Sequence, residues 1–203
     1  MLGTAAKSKR KMPAITRESL MTLEAYSKVR KEFRSNVMAH KKARTVGLGD
    51  HITLLFEDEM TMRYQIQEML RAERIFEDGG IQDELDAYNP LIPDGRNLKA
   101  TMLIEYPDEG ERGRKLVELH GIEYRVALLI GDLAPVIAIA DEDLDRSTDT
   151  KTAAVHFLRF ELDAAHVAAF ADAEVVIAID HPRYSARQTL NAATRAALAV
   201  DFD

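Results

Sequence analysis

The sequence predicts an α+β fold: an antiparallel sheet with a long N-terminal helix and several shorter helices. Three observations carry this expectation. Between Thr22 and Arg44, Leu23, Tyr26, Val29, Phe33 and Val37 recur every three or four residues. Lys28, Arg30, Lys31, Arg34, Lys41 and Lys42 fill the positions between, so this is a long helix with one core stripe. Later stretches alternate with period two, as in Leu98 to Tyr106, where every second side chain is apolar and faces one side. Strands and helices also mix without the regular alternation that builds a parallel sheet.

The elements follow in order. Residues 1–14 are rich in lysine and poor in core formers, which predicts a disordered basic tail ahead of a single domain over 15–203. Thr16 is placed to cap a first turn. Gly47 and Gly49 mark the exit from the long helix. His51–Glu57 and Thr61–Gln65 read as a hairpin across Asp58-Glu59, since both runs are rich in β-formers. Ile66, Met69, Leu70 and Phe76, with Ile75 at the edge, then give a helical core stripe that Gly79-Gly80 stops. A second helix runs from Ile81 to Tyr88 and ends before Pro90. Leu91-Ile92, held between Pro90 and Pro93, either plug a core or form a contact surface. The strand Leu98–Tyr106 precedes a charged helix from Glu109 to His120, closed by Gly121. Strands are expected at 124–130, 136–140, 155–162 and 174–180, and alanine-rich helices at 163–171 and 190–200. The acidic loop Asp141–Lys151 has room for one helical turn.

Composition excludes several chemistries. The chain has 203 residues, 46% of them hydrophobic, enough for a sizeable core. With no cysteine, disulfides, thiolate metal sites and cysteine nucleophiles are ruled out. No run approaches the roughly 18 apolar residues of a membrane helix, and the basic start lacks an apolar signal core, so the expected location is the cytoplasm. Residues 1–45 carry 12 Lys+Arg against 3 Asp+Glu, while the whole chain has net charge −7. That asymmetry suits a basic helix packed against an acidic body better than a nucleic-acid arm, because the body would repel phosphates. Nucleic-acid binding through residues 7–44 is therefore disfavoured.

Candidate functional residues fall in three places. On the central helix Gln67, Glu68, Arg71 and Arg74 lie off the apolar stripe, where they form either a solvated face of weak ion pairs or a partner-docking face; Asn89 and Lys99 extend this polar set. On the strand VHFLRFEL, alternation puts His156 on the apolar side with Leu158, Phe160 and Leu162, and Arg159 with Glu161 on the other. His156 is either a hydrogen-bonded core residue or a group for proton transfer or ligand binding. Asp180-His181-Pro182 ends a strand as a capped turn, or meets His156 and Glu105 in an acid–base or metal site. Asp163 and His166, three apart, read as a helix cap and a surface histidine rather than half of a di-iron motif. No hydrolase, dinucleotide or zinc-protease motif occurs, and no spacing supplies a complete ligand set. The expectation is no cofactor and no stoichiometric transition metal.

The runs AHKKART (39–45), TLLFEDE (53–59), RYQIQEMLRAERIFE (63–77), IQDELDAYNPLIPDGRNLKATMLIEYPD (81–108), IADEDLDRS (139–147) and KTAAVHFLRFEL (151–162) resemble an uncharacterised bacterial family that carries a domain-of-unknown-function label. The resemblance spans about residue 15 to the C-terminus. It implies genes for a rubrerythrin-like di-iron protein and an iron–sulfur protein similar to heterodisulfide-reductase subunits close by, and hence a cytosolic accessory role in redox or peroxide defence with one of them as partner. It supplies no catalytic residue to carry over.

Overall fold

A computed structural model describes residues 14–142, 146–148 and 150–202. All but the last residue of the expected tail, and part of the expected turn in the acidic loop, lie outside that range. No described helix is long and apolar enough to cross a membrane.

Among the described residues, nine strands form two antiparallel sheets. The first has five strands in the order β1 (Thr45–Leu48), β2 (Ile52–Glu57), β3 (Asn97–Ile104), β7 (Val155–Glu161) and β6 (Ile139–Ala140); the second has four, β5 (Val136–Ile137), β4 (Val126–Ile130), β8 (Val175–His181) and β9 (Tyr184–Thr189). Residues 136–140, expected as one strand, divide between the sheets: Leu128 pairs with Val136 in one, Leu158 with Ala140 in the other, and Ala138 is buried at the crossing. The main core lies between the sheets, where Leu54, Phe56, Met102 and Phe160 face Val126, Leu128, Ile177 and Ile179. Period-two alternation predicts these faces well because each strand is half buried.

The helices are α1 (Leu23–Ala43), α2 (Glu59–Glu73), α3 (Asp78–Tyr88), α4 (Glu109–Glu118), α5 (Ala164–Phe170) and α6 (Ala192–Ala199). A second apolar cluster, formed by Ile15, Met62, Ile66, Leu70, Leu85 and Ile92, joins α2, α3 and the segment before α1. Ile92 at 7% exposure plugs this cluster, which decides the role of the proline-bounded loop.

Four expectations are corrected. The hairpin pairs β1 with β2, and residues 61–65 belong to α2. Asp58 decides this, since its carboxylate accepts the Thr61 N–H (3.0 Å) while Thr61 Oγ1 accepts the Asp58 N–H (2.9 Å), a reciprocal cap that starts a helix. Gly47 sits within β1, and Gly49 alone makes the turn at φ 69°, where a Cβ would come within 2.5 Å of the Tyr184 hydroxyl oxygen. α2 stops before the glycines. Arg74 takes a left-handed conformation (φ 56°) and both it and Ile75 donate to the Leu70 carbonyl, so that Ile75 packs on the second cluster while Phe76 is thrown out to 66% exposure. Gly79 and Gly80 then fall in the first turn of α3. Val29, placed on the stripe of α1 by spacing, is 42% exposed, because only Tyr26 and Val37 of that helix are fully buried. β9 was not foreseen, since its residues are mostly exposed and lack an apolar alternation.

Candidate functional site

His156 lies in β7 on the buried side, as alternation requires, and is 0% exposed. Its Nδ1 is 2.6 Å from Asp141 Oδ2, and its Nε2 is 2.8 Å from Thr152 Oγ1 and 3.1 Å from the Ala153 carbonyl oxygen. Glu123, on the 3-10 turn Ile122–Arg125, brings Oε2 to 4.0 Å from Nε2. Glu123 in turn accepts hydrogen bonds from Thr152 Oγ1 (2.9 Å) and Ser147 Oγ (2.6 Å). Arg146 Nη1 stands 3.6 Å from Asp141 Oδ1, and its guanidinium lies over the Phe157 ring at 4.5 Å. Asp141 has a left-handed backbone at φ 51°, which turns its carboxylate inward as the chain leaves β6.

Three elements thus bring two carboxylates and an imidazole, each with its side chain no more than 2% exposed, into one cluster. Glu123, Asp141 and His156 are the group of described residues whose donor atoms converge closely enough, within 4.8 Å, to hold a metal ion. Burial would by itself raise the Glu123 carboxyl, yet the Ser147 and Thr152 hydroxyls, its own backbone N–H and the neighbouring His156 ring together hold it below the ordinary carboxylate range. The arrangement can hold a proton or a cation between acceptors.

The other expected site residues fall elsewhere. Glu161 is on the opposite, exposed side of β7, where it accepts from Arg159 Nη1 and Asn97 Nδ2, while Arg159 also forks onto Glu142 at 2.7 and 2.8 Å. Asp180 is exposed, and His181 donates from Nε2 to the His120 carbonyl (3.2 Å) and accepts the Arg183 N–H at Nδ1. His181 lines a shallow groove with His120, Tyr124 and Arg125. Glu105 accepts from Thr53 Oγ1 (2.7 Å) at the exposed end of β3. The partners of His156 are therefore Glu123 and Asp141 rather than Asp180, His181 and Glu105. Asp163 caps α5 as expected, but His166 is largely buried instead of superficial, with Nδ1 on Asp163 (2.8 Å) and Nε2 on the Ala134 carbonyl (2.9 Å). That carbonyl contact, opposed by burial and helped by Asp163, raises its pKa above the ordinary histidine value.

The polar set around α2 divides. Gln67 is 0% exposed and clamps Met21, accepting its N–H (2.7 Å) and donating to its carbonyl (3.3 Å). Asn89 clamps Ile15 in the same two-way manner at 2.9 and 3.0 Å. Glu68 accepts two hydrogen bonds from Arg30 and one from the Tyr26 hydroxyl, all at 2.7 Å, tying α1 to α2. Lys99 donates to the Pro90 carbonyl (2.8 Å). The face that helical spacing left free is thus partly occupied by the chain itself; Arg71 and Arg74 remain exposed, with Arg71 reaching Glu68 only at 3.5 Å.

No spacing in the sequence reveals Glu123, Asp141 or Thr152 as neighbours of His156. They stand 33, 15 and 4 residues from it: the pairing of β6 with β7 brings Asp141 alongside, and Glu123 comes from the 3-10 turn Ile122–Arg125.

No curated protein matches the chain. Among solved structures, it is similar to the crystal structure, at 1.90 Å resolution, of a novel protein of unknown function from Burkholderia pseudomallei K96243. The two share 55% identity and a TM-score of 0.89, over 94% of this chain and 100% of that one. Residues 14–202 match the family described as "Protein of unknown function (DUF3501)", and the chain belongs to that family.

Proposed function

We propose that the protein is an accessory protein of a rubrerythrin-linked redox system, docking to a rubrerythrin-like or iron–sulfur partner through the end of α2. The observation that carries this reading is Phe76, a large aromatic at 66% exposure that directly follows the exposed Arg71 and Arg74. An aromatic beside arginines has the composition of an interface hot spot: the ring supplies apolar area and the guanidinium fork takes carboxylates in two places. Here the Schellman-type helix end directs Ile75 inward and leaves Phe76 outside. The test is co-purification of tagged protein with the rubrerythrin-like and iron–sulfur proteins. Phe76→Ala and Arg74→Ala should each lower partner recovery at least tenfold, the effect of about 1.4 kcal/mol, with an unchanged melting temperature. Recovery equal to the parent's would reject the surface.

A second reading, ligand binding or catalysis through His156, has one observation in its favour: His156 meets Glu123 and Asp141 in a buried volume. A site loaded with metal or small ligand after purification from the native host would favour it.

A further inference from the structure

We infer that the His156 network is a divalent-cation site in which His156, Glu123 and Thr152 bind the ion and Asp141 orients the histidine. The argument is geometric. Thr152 Oγ1 lies 2.8 Å from His156 Nε2 and 2.9 Å from Glu123 Oε2, and those two atoms are 4.0 Å apart. The three distances make a near right angle at the hydroxyl oxygen. The midpoint between Nε2 and Oε2 is consequently about 2.0 Å from all three atoms, the bond length of a divalent metal to nitrogen and oxygen donors.

The surroundings match what such a site needs. Asp141 Oδ2 takes the Nδ1 side of His156 at 2.6 Å, which leaves Nε2 to face the cation, as in the carboxylate–histidine–metal arrangement. Ser147 holds the second oxygen of Glu123 at 2.6 Å and so fixes which oxygen points inward. The Ala153 carbonyl, 3.1 Å from Nε2, is a further oxygen at the rim. His156, Glu123 and Thr152 are each no more than 1% exposed. Glu123 and Asp141 are both buried carboxylates, whose charge needs a cation beside it, and a bound ion would supply one next to Glu123 while the Arg146 guanidinium stands 3.6 Å from Asp141.

The donor set also selects the metal. Two donors opposite each other with a third at right angles form part of an octahedron, not a tetrahedron, which disfavours zinc. Carboxylate and hydroxyl oxygens with one imidazole suit Mn2+ or Fe2+ and offer no soft ligand to Cu+. Because the three donors are buried, the ion is supplied while the chain refolds.

The test uses the full chain, unfolded with chelator, refolded with Mn2+ alone, and washed. Bound manganese is read by elemental analysis and by loss of the free-ion electron paramagnetic signal. About one equivalent is expected. Asp141→Asn should weaken binding roughly 10- to 100-fold, and Glu123→Gln should abolish it. Glu118→Gln, at an exposed ion pair with Lys115, is the control and should bind as the parent does. A refolded parent that retains no manganese overturns the proposal, as does a folded Glu123→Gln variant that binds like the parent.

Discussion

Two buried ionic networks sit in this molecule and are built on opposite principles. In one, Arg44 is 1% exposed and donates to the carbonyls of Phe56 (3.0 Å), Glu57 (3.2 Å) and Ala197 (2.8 Å) and to the Asp201 carboxylate, with Asp58 3.5 Å away and itself bonded to His40 at 2.5 Å. In the other, His156 stands between Asp141 and Glu123 with hydroxyls around it. A guanidinium has only donors and keeps its charge, so it can staple backbone carbonyls but can neither ligate a metal nor exchange a proton. Imidazole and carboxylates can do both. The difference separates a buried charge that joins the end of α1, β2 and the C-terminal turn from one that is equipped for chemistry.

The largest effect should come from Arg44→Ala. It strands Asp201, whose carboxyl burial already pushes up to about 6 even with Arg44 pulling the other way. Breaking a buried pair by removing one partner costs roughly 3–5 kcal/mol. For a chain of this size that is a melting temperature lower by about 10 °C, measured by thermal unfolding. Arg44→Lys should recover little, since one ammonium cannot serve three carbonyls and a carboxylate. Parent-like stability in Arg44→Ala would erase the contrast between the networks. Asp201 also has a pH signature. Its folded pKa is above the unfolded value, so its contribution is present in acid and fades as pH rises through about 6.

Thr152→Val should come next. The two side chains have nearly the same shape, but the valine leaves Glu123 Oε2 and His156 Nε2 without the hydroxyl between them. A lost bond to a buried charged group costs about 1–3 kcal/mol, to be read from denaturant unfolding. Because the same hydroxyl is a cation ligand in the inference above, the loss should be greater in manganese-refolded protein than in protein refolded with chelator.

How much of this was legible depended on the range of the signal. Alternation in residues 98–106 and 155–162 gave both the strands and the buried side of His156, because a half-buried strand writes its pattern locally. Spacing in α2 failed at its ends, where Asp58 and Arg74 set the boundaries through caps rather than through periodicity. It also misjudged Gln67, since a polar side chain off the stripe can be buried by a neighbouring segment, here Met21. Glu123 and Asp141 were out of reach entirely. Their convergence on His156 depends on how residues 136–140 switch from one sheet to the other, which no local pattern encodes.

A partly buried pair, Arg30 with Glu68, tests the middle of the scale. Hydrogen bonds from Arg30 hold the Glu68 carboxyl down, from 4.5 to about 2, against the opposing effect of burial and with help from Tyr26 and Arg71. Its folded pKa is depressed, so this stabilisation is complete above about 4.5 and is lost as pH falls toward 2. Glu68→Gln should lose on the order of 2 kcal/mol at neutral pH and show a flatter stability profile between pH 4.5 and 2 than the parent. Matching acid profiles in parent and variant would mean that the α1–α2 clamp carries no weight.

The smallest effect is expected at Arg71, and its smallness is what makes it informative. Its side chain is 42% exposed and reaches Glu68 only at 3.5 Å, while Arg30 already occupies both carboxylate oxygens at 2.7 Å. Water and salt screen such a contact, and holding a long side chain in place costs entropy that offsets much of the attraction. Arg71→Ala should therefore change stability by no more than about 0.5 kcal/mol, and what effect there is should be larger at low salt than at high. On the docking surface proposed above, with Arg74 and Phe76, the guanidinium would meet a carboxylate of the proposed partner, so the same substitution should lower recovery in the co-purification test. Unfolding several degrees early would instead place Arg71 with Arg44 among the structural cations, and unchanged partner recovery would remove it from the interface.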